Sequence, residues 1–396
     1  MVPQMLSPSS RRMFFPIILT FAVLCMIFLL LAGCGSMNSN SSMMMNQAPA
    51  SLAFVSNSGS GTVSAFTVSA SGSLTPVSGS PFAAGAGAEF MAFDSVHNFL
   101  FVSNQSANSL SVFSVNTSTG MLTPVPGSPF TTGSRPTGVA VAPMASLVFV
   151  GNQDDSSVSV FSLNTTTGML TPAAGSPITG ISNPFGLAVN PAGTLLFVNN
   201  FRDDNTGGAN AVSAFQINTN GSLSSVGGPF ATSSPAGITS PVGLATDGKQ
   251  LFVGNHMAES VVALQIGGTG TLSSTSTLPA PASGCSTSCH NNPLRVTVDP
   301  MDRFVFATNV AAGTVSTFSI NNGSLSVMSS AATGQHPFGV TTDPSGAFLF
   351  VVNKVDNSVS AFSVNSGSGM LSPLSGSPFT TGNLNAPTDI VIVKKM

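Results

Sequence analysis

The chain has 396 residues, of which only 6% are charged, with a net charge of −3, 29 Phe, no Trp and no Tyr. So mild an acidic balance offers no basic footprint for nucleic acid. The missing Trp and Tyr exclude their rings as sugar-stacking platforms and exclude any tyrosine acid or base.

In chain order, residues 1–33 read as an export signal and are set aside from the fold. Arg11 and Arg12 supply a positive start, and Phe14 to Leu31 is an almost unbroken apolar run. It leads into Leu31-Ala32-Gly33-Cys34, which resembles the lipobox of bacterial lipoproteins. That resemblance implies cleavage before Cys34, lipidation of Cys34 and attachment to a membrane through the lipid. An uncleaved transmembrane anchor competes, because the run approaches the length of a bilayer span. Ser10-Arg11-Arg12-Met13-Phe14-Phe15 also resembles a twin-arginine signal, although the long apolar stretch favours the general secretory route. Gly35, rather than Asp, follows the cysteine; by resemblance to enterobacterial sorting this implies the outer membrane. Residues 34–50 are the lipidated Cys and a Ser-, Met- and Asn-rich tether. Without Arg11 and Arg12, eight basic residues face thirteen acidic ones.

From residue 51 a repeat dominates. An aliphatic residue, a Phe and, three positions on, an Asn recur seven times, from Phe54/Asn57 to Phe350/Asn353. An alternating strand follows, ending at Phe66, Phe113, Phe161, Phe215, Leu264, Phe318 and Phe362. A Gly-x-Leu-Thr/Ser segment comes next, as at Gly72 and Gly120. The fourth segment is a nearly continuous apolar run after a Pro, as in Pro136-Thr137-Gly138-Val139-Ala140-Val141, with a divergent copy at Phe90-Met91-Ala92-Phe93. Four strands in seven copies, about 49 residues each, predict an all-β, seven-bladed β-propeller over residues 51–396. The apolar run suits the innermost strand, covered on both faces by neighbouring blades. The repeat begins on the second strand of a blade and finishes on the first, so the C-terminal strand is expected to complete the N-terminal blade and remove the open edge. A solenoid, the competing reading of a repeat, would not need that count.

Leu100-Phe101-Val102-Ser103-Asn104, with its following Val-Phe strand, resembles the YVTN-type repeats of lactonase-like seven-bladed propellers. The resemblance covers nearly all of residues 51–393 and implies the fold. For activity it implies lactone hydrolysis of the 6-phosphogluconolactonase kind, with several His and Arg early in the innermost strands. Those columns here read Glu89, Thr137, Phe185, Val242, Leu294, Phe338, Thr388 and Phe90, Gly138, Gly186, Gly243, Arg295, Gly339, Asp389. They hold one Arg and no His. An exported chain with eight basic residues is also poorly equipped for a phosphorylated sugar.

The loops around the channel mouth carry Arg135, Arg202, His256, Glu259, His290, His336 and Lys354, charges that do not repeat in register from copy to copy, which marks a ligand-binding face. On the opposite side Asp94, Asp247, Asp299 and Asp343, beside Asn190, recur at one turn position and read as turn formers. Arg295, Glu89 and Asp389 are the catalytic candidates. Arg295 either pairs with Asp389 or Glu89 and closes the channel, or grips an anionic or carbonyl ligand with Glu89 as base. Cys285 and Cys289, in an oxidising compartment, suggest a disulfide. With His290 they also approach, with one residue too many, the spacing of a haem c attachment. No metal and no cofactor are expected. The expectation is a monomeric, lipid-anchored scaffold that binds a protein or small molecule without catalysis. A lactone hydrolase at the channel mouth is the alternative, and a metal- or haem-carrying redox propeller the second.

Overall fold

Each Phe–x–x–Asn segment forms the most deeply buried strand of a four-stranded antiparallel sheet. The computed structural model describes residues 51–201, 211–232, 240–279, 293–380 and 382–396. Within them Phe54, Phe101, Phe149, Phe197, Phe252, Phe306 and Phe350 are wholly buried, packed between neighbouring sheets in seven separate apolar clusters. One sheet is one blade, and the order inside it is the order in the chain: inner strand, Phe–Asn strand, alternating strand, outer strand. Blade 2, for example, runs Ala88–Asp94, Phe99–Asn104, Ser109–Val115 and Leu122–Pro124. Blades 3 to 7 follow in sequence. Their inner strands are Pro136–Ala142, Pro184–Val189, Pro241–Thr246, Pro293–Val298 and Pro337–Thr342.

Blade 1 closes the ring. Its inner strand is Pro387–Lys394, which pairs antiparallel with Ser51–Asn57, setting Ser51 opposite Lys394 and Leu52 opposite Val393. The seven inner strands each neighbour the next in an unbroken cycle, so the fold has no open end of the kind a solenoid would show. No α-helix occurs among the described residues, and the helical content there is one short turn, Pro143–Ala145.

The repeated Asn has a mechanical reason that the spacing alone did not reveal. Asn104 Nδ2 donates to the Ser109 and Ser111 hydroxyls at 3.0 and 2.9 Å, and Asn353 binds Ser358 and Ser360 in the same way, both at 2.9 Å. The Oδ1 of Asn152 and of Asn353 accepts the amides of Gly133 and Gly334 from the loop entering the inner strand. One buried amide thus ties the hairpin to the loop beside it and satisfies groups that would otherwise be buried unpaired. Six of the seven outer edges are of two kinds. In blades 1, 2, 3 and 7 a short outer strand is followed by a serine (Ser80, Ser128, Ser176, Ser377) whose hydroxyl accepts an amide of the alternating strand. In blades 5 and 6 the outer strand runs on instead, as Leu272–Pro279 and Ser324–Ala332.

Burial of the inner strands differs from expectation. They are not covered throughout: beyond their first residues Leu187, Ala188, Val189, Leu244, Ala245 and Thr246 are half-exposed. The free edge of an inner strand borders the axis of the ring, where no further strand can cover it. Cys34 and residues 1–50 lie outside the described residues, as do Arg202, Cys285, Cys289 and His290.

Candidate functional site at the channel mouth

The mouth is built from one backbone device repeated around the ring. Among the described residues, the one before each of six inner strands adopts a left-handed conformation: Gly87, Arg135, Asn183, Ser240, His336 and Ala386. Its carbonyl accepts the amide that follows the Phe–Asn strand: Gln105 to Gly87, Gln153 to Arg135, Phe201 to Asn183, His256 to Ser240, Lys354 to His336 and Ser58 to Ala386. The charged mouth residues therefore do stand in register, which corrects the sequence reading. Arg135 and His336 occupy the same place in two blades, as do His256 and Lys354. What fails to repeat is the side chain. Glu259 is placed differently, at a left-handed hairpin position that Asn108, Ser156 and Asn357 fill elsewhere, so its position answers to the turn.

Just inside the rim the inner strand bulges, as the register shifts between Ala88 and Met91 and between Pro337 and Val340 show. At the second bulge residue four blades have Gly. A Cβ on Gly138, Gly186, Gly243 or Gly339 would come closer than 3.0 Å to backbone atoms of the next inner strand, at Phe185, Val242, Val296 and Asp389 respectively. The scarcity of His and Arg in this column thus has a packing cause: most of its positions have no room for any side chain.

The three exceptions described there, Phe90, Arg295 and Asp389, meet each other. Arg295 Nη2 donates to both carboxylate oxygens of Asp389 at 3.1 Å, and its guanidinium lies 4.7 Å from the centre of the Phe90 ring. Asp389 Oδ2 also accepts the Met91 amide at 3.0 Å. Burial pushes the Asp389 carboxyl up, while the guanidinium and the Met91 amide pull it back. Phe90 reaches from blade 2 to Phe185 of blade 4, ring centres 5.2 Å apart and edge to face. It also reaches Phe338 of blade 7 at 6.3 Å. Neither blade is its neighbour, so these rings cross the axis. Together with Val242, Phe201 and Ile390 they belong to one apolar cluster that spans the axis below the rim.

Glu89 sits beside this plug, 7% exposed, and its Oε2 has no hydrogen-bond partner among the described residues. Burial holds its carboxyl above the ordinary range, against the pull of Lys354, Arg135 and Arg295 and with the push of Asp389. His336 is shifted down by burial and by the nearby Lys354 and His256, so its ring is held toward the neutral form. Lys354 lies 5.1 Å from the Phe338 ring centre, and the more exposed Arg135 pairs loosely with Asp154 at 3.6 Å. Among the described residues no three His, Cys, Asp or Glu converge on a metal position.

The structure therefore brings Arg295, Asp389 and Glu89 together at the axis and sets Arg135, His256 and His336 on the rim. Arg202, His290, Cys285 and Cys289 lie outside the described residues. The phenyl plug is the part of the site that the sequence reading left unassigned, because it needs the ring geometry.

Comparison with known proteins agrees with this architecture. No curated protein matches the sequence. A 6-phosphogluconolactonase-like protein of Bacteroides fragilis superimposes with a TM-score of 0.73 at 19% identity, over 88% of this chain and 99% of its own. The periplasmic gluconolactonase PpgL of Pseudomonas aeruginosa gives 0.68 at 17%, over 88% and 100%. A protein of Lactobacillus plantarum gives 0.74 at 16%, over 87% and 100%. At such identities the likeness concerns the fold. The family model for the lactonase seven-bladed β-propeller matches residues 50–180 and 243–384, and the chain belongs to that family.

Proposed function

We propose that this protein is an exported, lipid-anchored propeller that binds a partner or small ligand at the rim of its channel mouth without catalysing a reaction on it. The observation that carries the reading is the Arg295–Asp389 pair seated on Phe90. A guanidinium already held by two carboxylate oxygens and a ring has little left to offer a lactone carbonyl, and phenyl rings cross the axis beside it. The rim, in contrast, varies in side chain over a constant backbone, and it brings Arg135, His256, His336 and Lys354 to one end of the ring. Export and anchoring rest on the signal-like run and Cys34; the periplasmic placement in the name of the Pseudomonas relative is consistent with them.

One observation favours the lactone hydrolase as a second reading. A buried carboxylate with an unpartnered oxygen and a raised pKa suits a general base. Glu89 would take a proton from water as the resulting hydroxide adds to the lactone carbonyl, and ring opening would return a proton to the departing alkoxide. The test is acid release from a panel of unphosphorylated sugar and aliphatic lactones by the purified protein. The binding reading expects no turnover above buffer. Turnover that disappears in both Arg295→Ala and Glu89→Gln would overturn it in favour of the enzyme.

A further inference from the structure

The face opposite the mouth has an apolar arc that the rim reading does not use. Three copies of the turn between alternating and outer strands expose a methionine: Met121 at 49%, Met169 at 42% and Met370 at 60%. The turns after the inner strands of blades 3 and 6 add Met144 at 81% and Met301 at 60%, and that of blade 2 adds Val96 at 55%. Both kinds of turn lie on one face, because the end of each alternating strand bonds to the neighbouring turn, as Val115 does to Asn98 and Leu163 to Ser146. The turns of blades 4 and 5 are rich in Gly, Asn and Thr and hold no methionine in their place. The methionines therefore occupy blades 6, 7, 2 and 3, an arc with blade 1 at its centre.

Blade 1 is where the propeller begins. Ser51 pairs with Lys394, so the chain leading back to Cys34 departs from this same face, from the middle of the arc. Lys394 and Lys395 stand beside it, and Met396 bonds to the turn at Thr117 and Ser118. The carboxylates of Asp94, Asp299 and Asp343 are withdrawn into their turns, leaving Asp302 as the exposed acid among the described turns of the arc. Sixteen residues, 35–50, separate Cys34 from Ser51, and a chain of that length has a mean coil span of about 20–25 Å, less than the breadth of a domain of this size.

We propose that this arc lies on the lipid surface to which Cys34 is anchored, its methionines entering the headgroup boundary and Lys394 and Lys395 meeting anionic lipid, so that the mouth points away from the membrane. Exposed flexible apolar side chains, flanked by cations and free of exposed acid but for one, are the chemistry that an interface accepts. The proposal rests on the reading of Cys34 as the anchor.

The test is methionine oxidation by dilute peroxide in the full-length protein, read residue by residue by mass spectrometry. It compares protein in vesicles of phosphatidylethanolamine and phosphatidylglycerol with protein in detergent. Met257, exposed at the mouth, is the internal control. With Cys34 acylated, the proposal expects Met121, Met144, Met169, Met301 and Met370 to oxidise about fivefold more slowly in vesicles while Met257 is unchanged. Acylated Cys34 with equal rates throughout would overturn the docking and leave the anchor standing. An unmodified Cys34 would overturn the anchor, and the docking with it.

Discussion

At five of the six turns that follow an inner strand opposite the mouth, position and residue type repeat together; blade 3 has Ala142 there and makes a short 3-10 turn instead. Asp94, Asn190, Asp247, Asp299 and Asp343 each accept backbone amides of their own turn; Asn190 takes Thr194 and Leu195, and Asp247 takes Lys249 and Gln250. The bond demands a short side chain with a free oxygen, so the residue type is dictated. At the mouth the position is as regular, but it is held by the carbonyl and the left-handed backbone. Gly, Arg, Asn, Ser, His and Ala all serve there. Where the backbone does the structural task, the side chain is released for something else. That difference separates scaffold from candidate site in a protein built of near-copies.

Substitutions can break or sharpen the contrast. Phe90→Ala removes the ring that crosses the axis and should cost about 3–5 kcal/mol in chemical denaturation; a cost below 1 would mean the plug is not packed as described. Asp299→Ala deprives the Phe304 amide and the Arg303 guanidinium of their acceptor and should cost about 2–3 kcal/mol. Arg135→Asn and His336→Asn keep a residue that tolerates the left-handed backbone, as Asn183 does, and should change stability by less than about 0.5 kcal/mol. If the rim variants cost as much as Asp299→Ala, the rim is scaffold too and the comparison collapses.

Glu89 sharpens it by pH. Its folded pKa is raised, so the folded chain holds the proton more tightly than the unfolded one. Stability is accordingly lost as pH rises from the ordinary value of 4.5 through the raised one. Glu89→Gln should therefore melt higher than the parent at pH 8, with the advantage gone below pH 4.5. Equal melting points at both would place Glu89 in water rather than in the plug.

Most of the fold was legible because a propeller writes itself seven times: the period, the four segments and the phase of the two ends together predict closure. The half-exposed inner strands were not, since an apolar run looks the same whether one edge or none borders an axis. The candidate site was legible in part. Glu89 in one column, and Arg295 and Asp389 in the next, stand out as charges among small or apolar residues, and the structure gathers them at the axis. Phe90 stands in the column of Arg295 and Asp389, but that its ring crosses the axis could not be read, because copies far apart in sequence meet only when the ring closes. The glycines at 138, 186, 243 and 339 looked like missing catalytic residues. They are contact points between strands.

The central claim is that Arg295 is committed to the plug and not held for a ligand. A double-mutant cycle in urea with Arg295→Met, Asp389→Leu and the pair tests it most directly. The account predicts that each single substitution is costly and that the double regains much of the loss, a coupling of about 2–3 kcal/mol. Additive effects, or an Arg295→Met variant as stable as the parent, would show a guanidinium not committed to Asp389 and would contradict it.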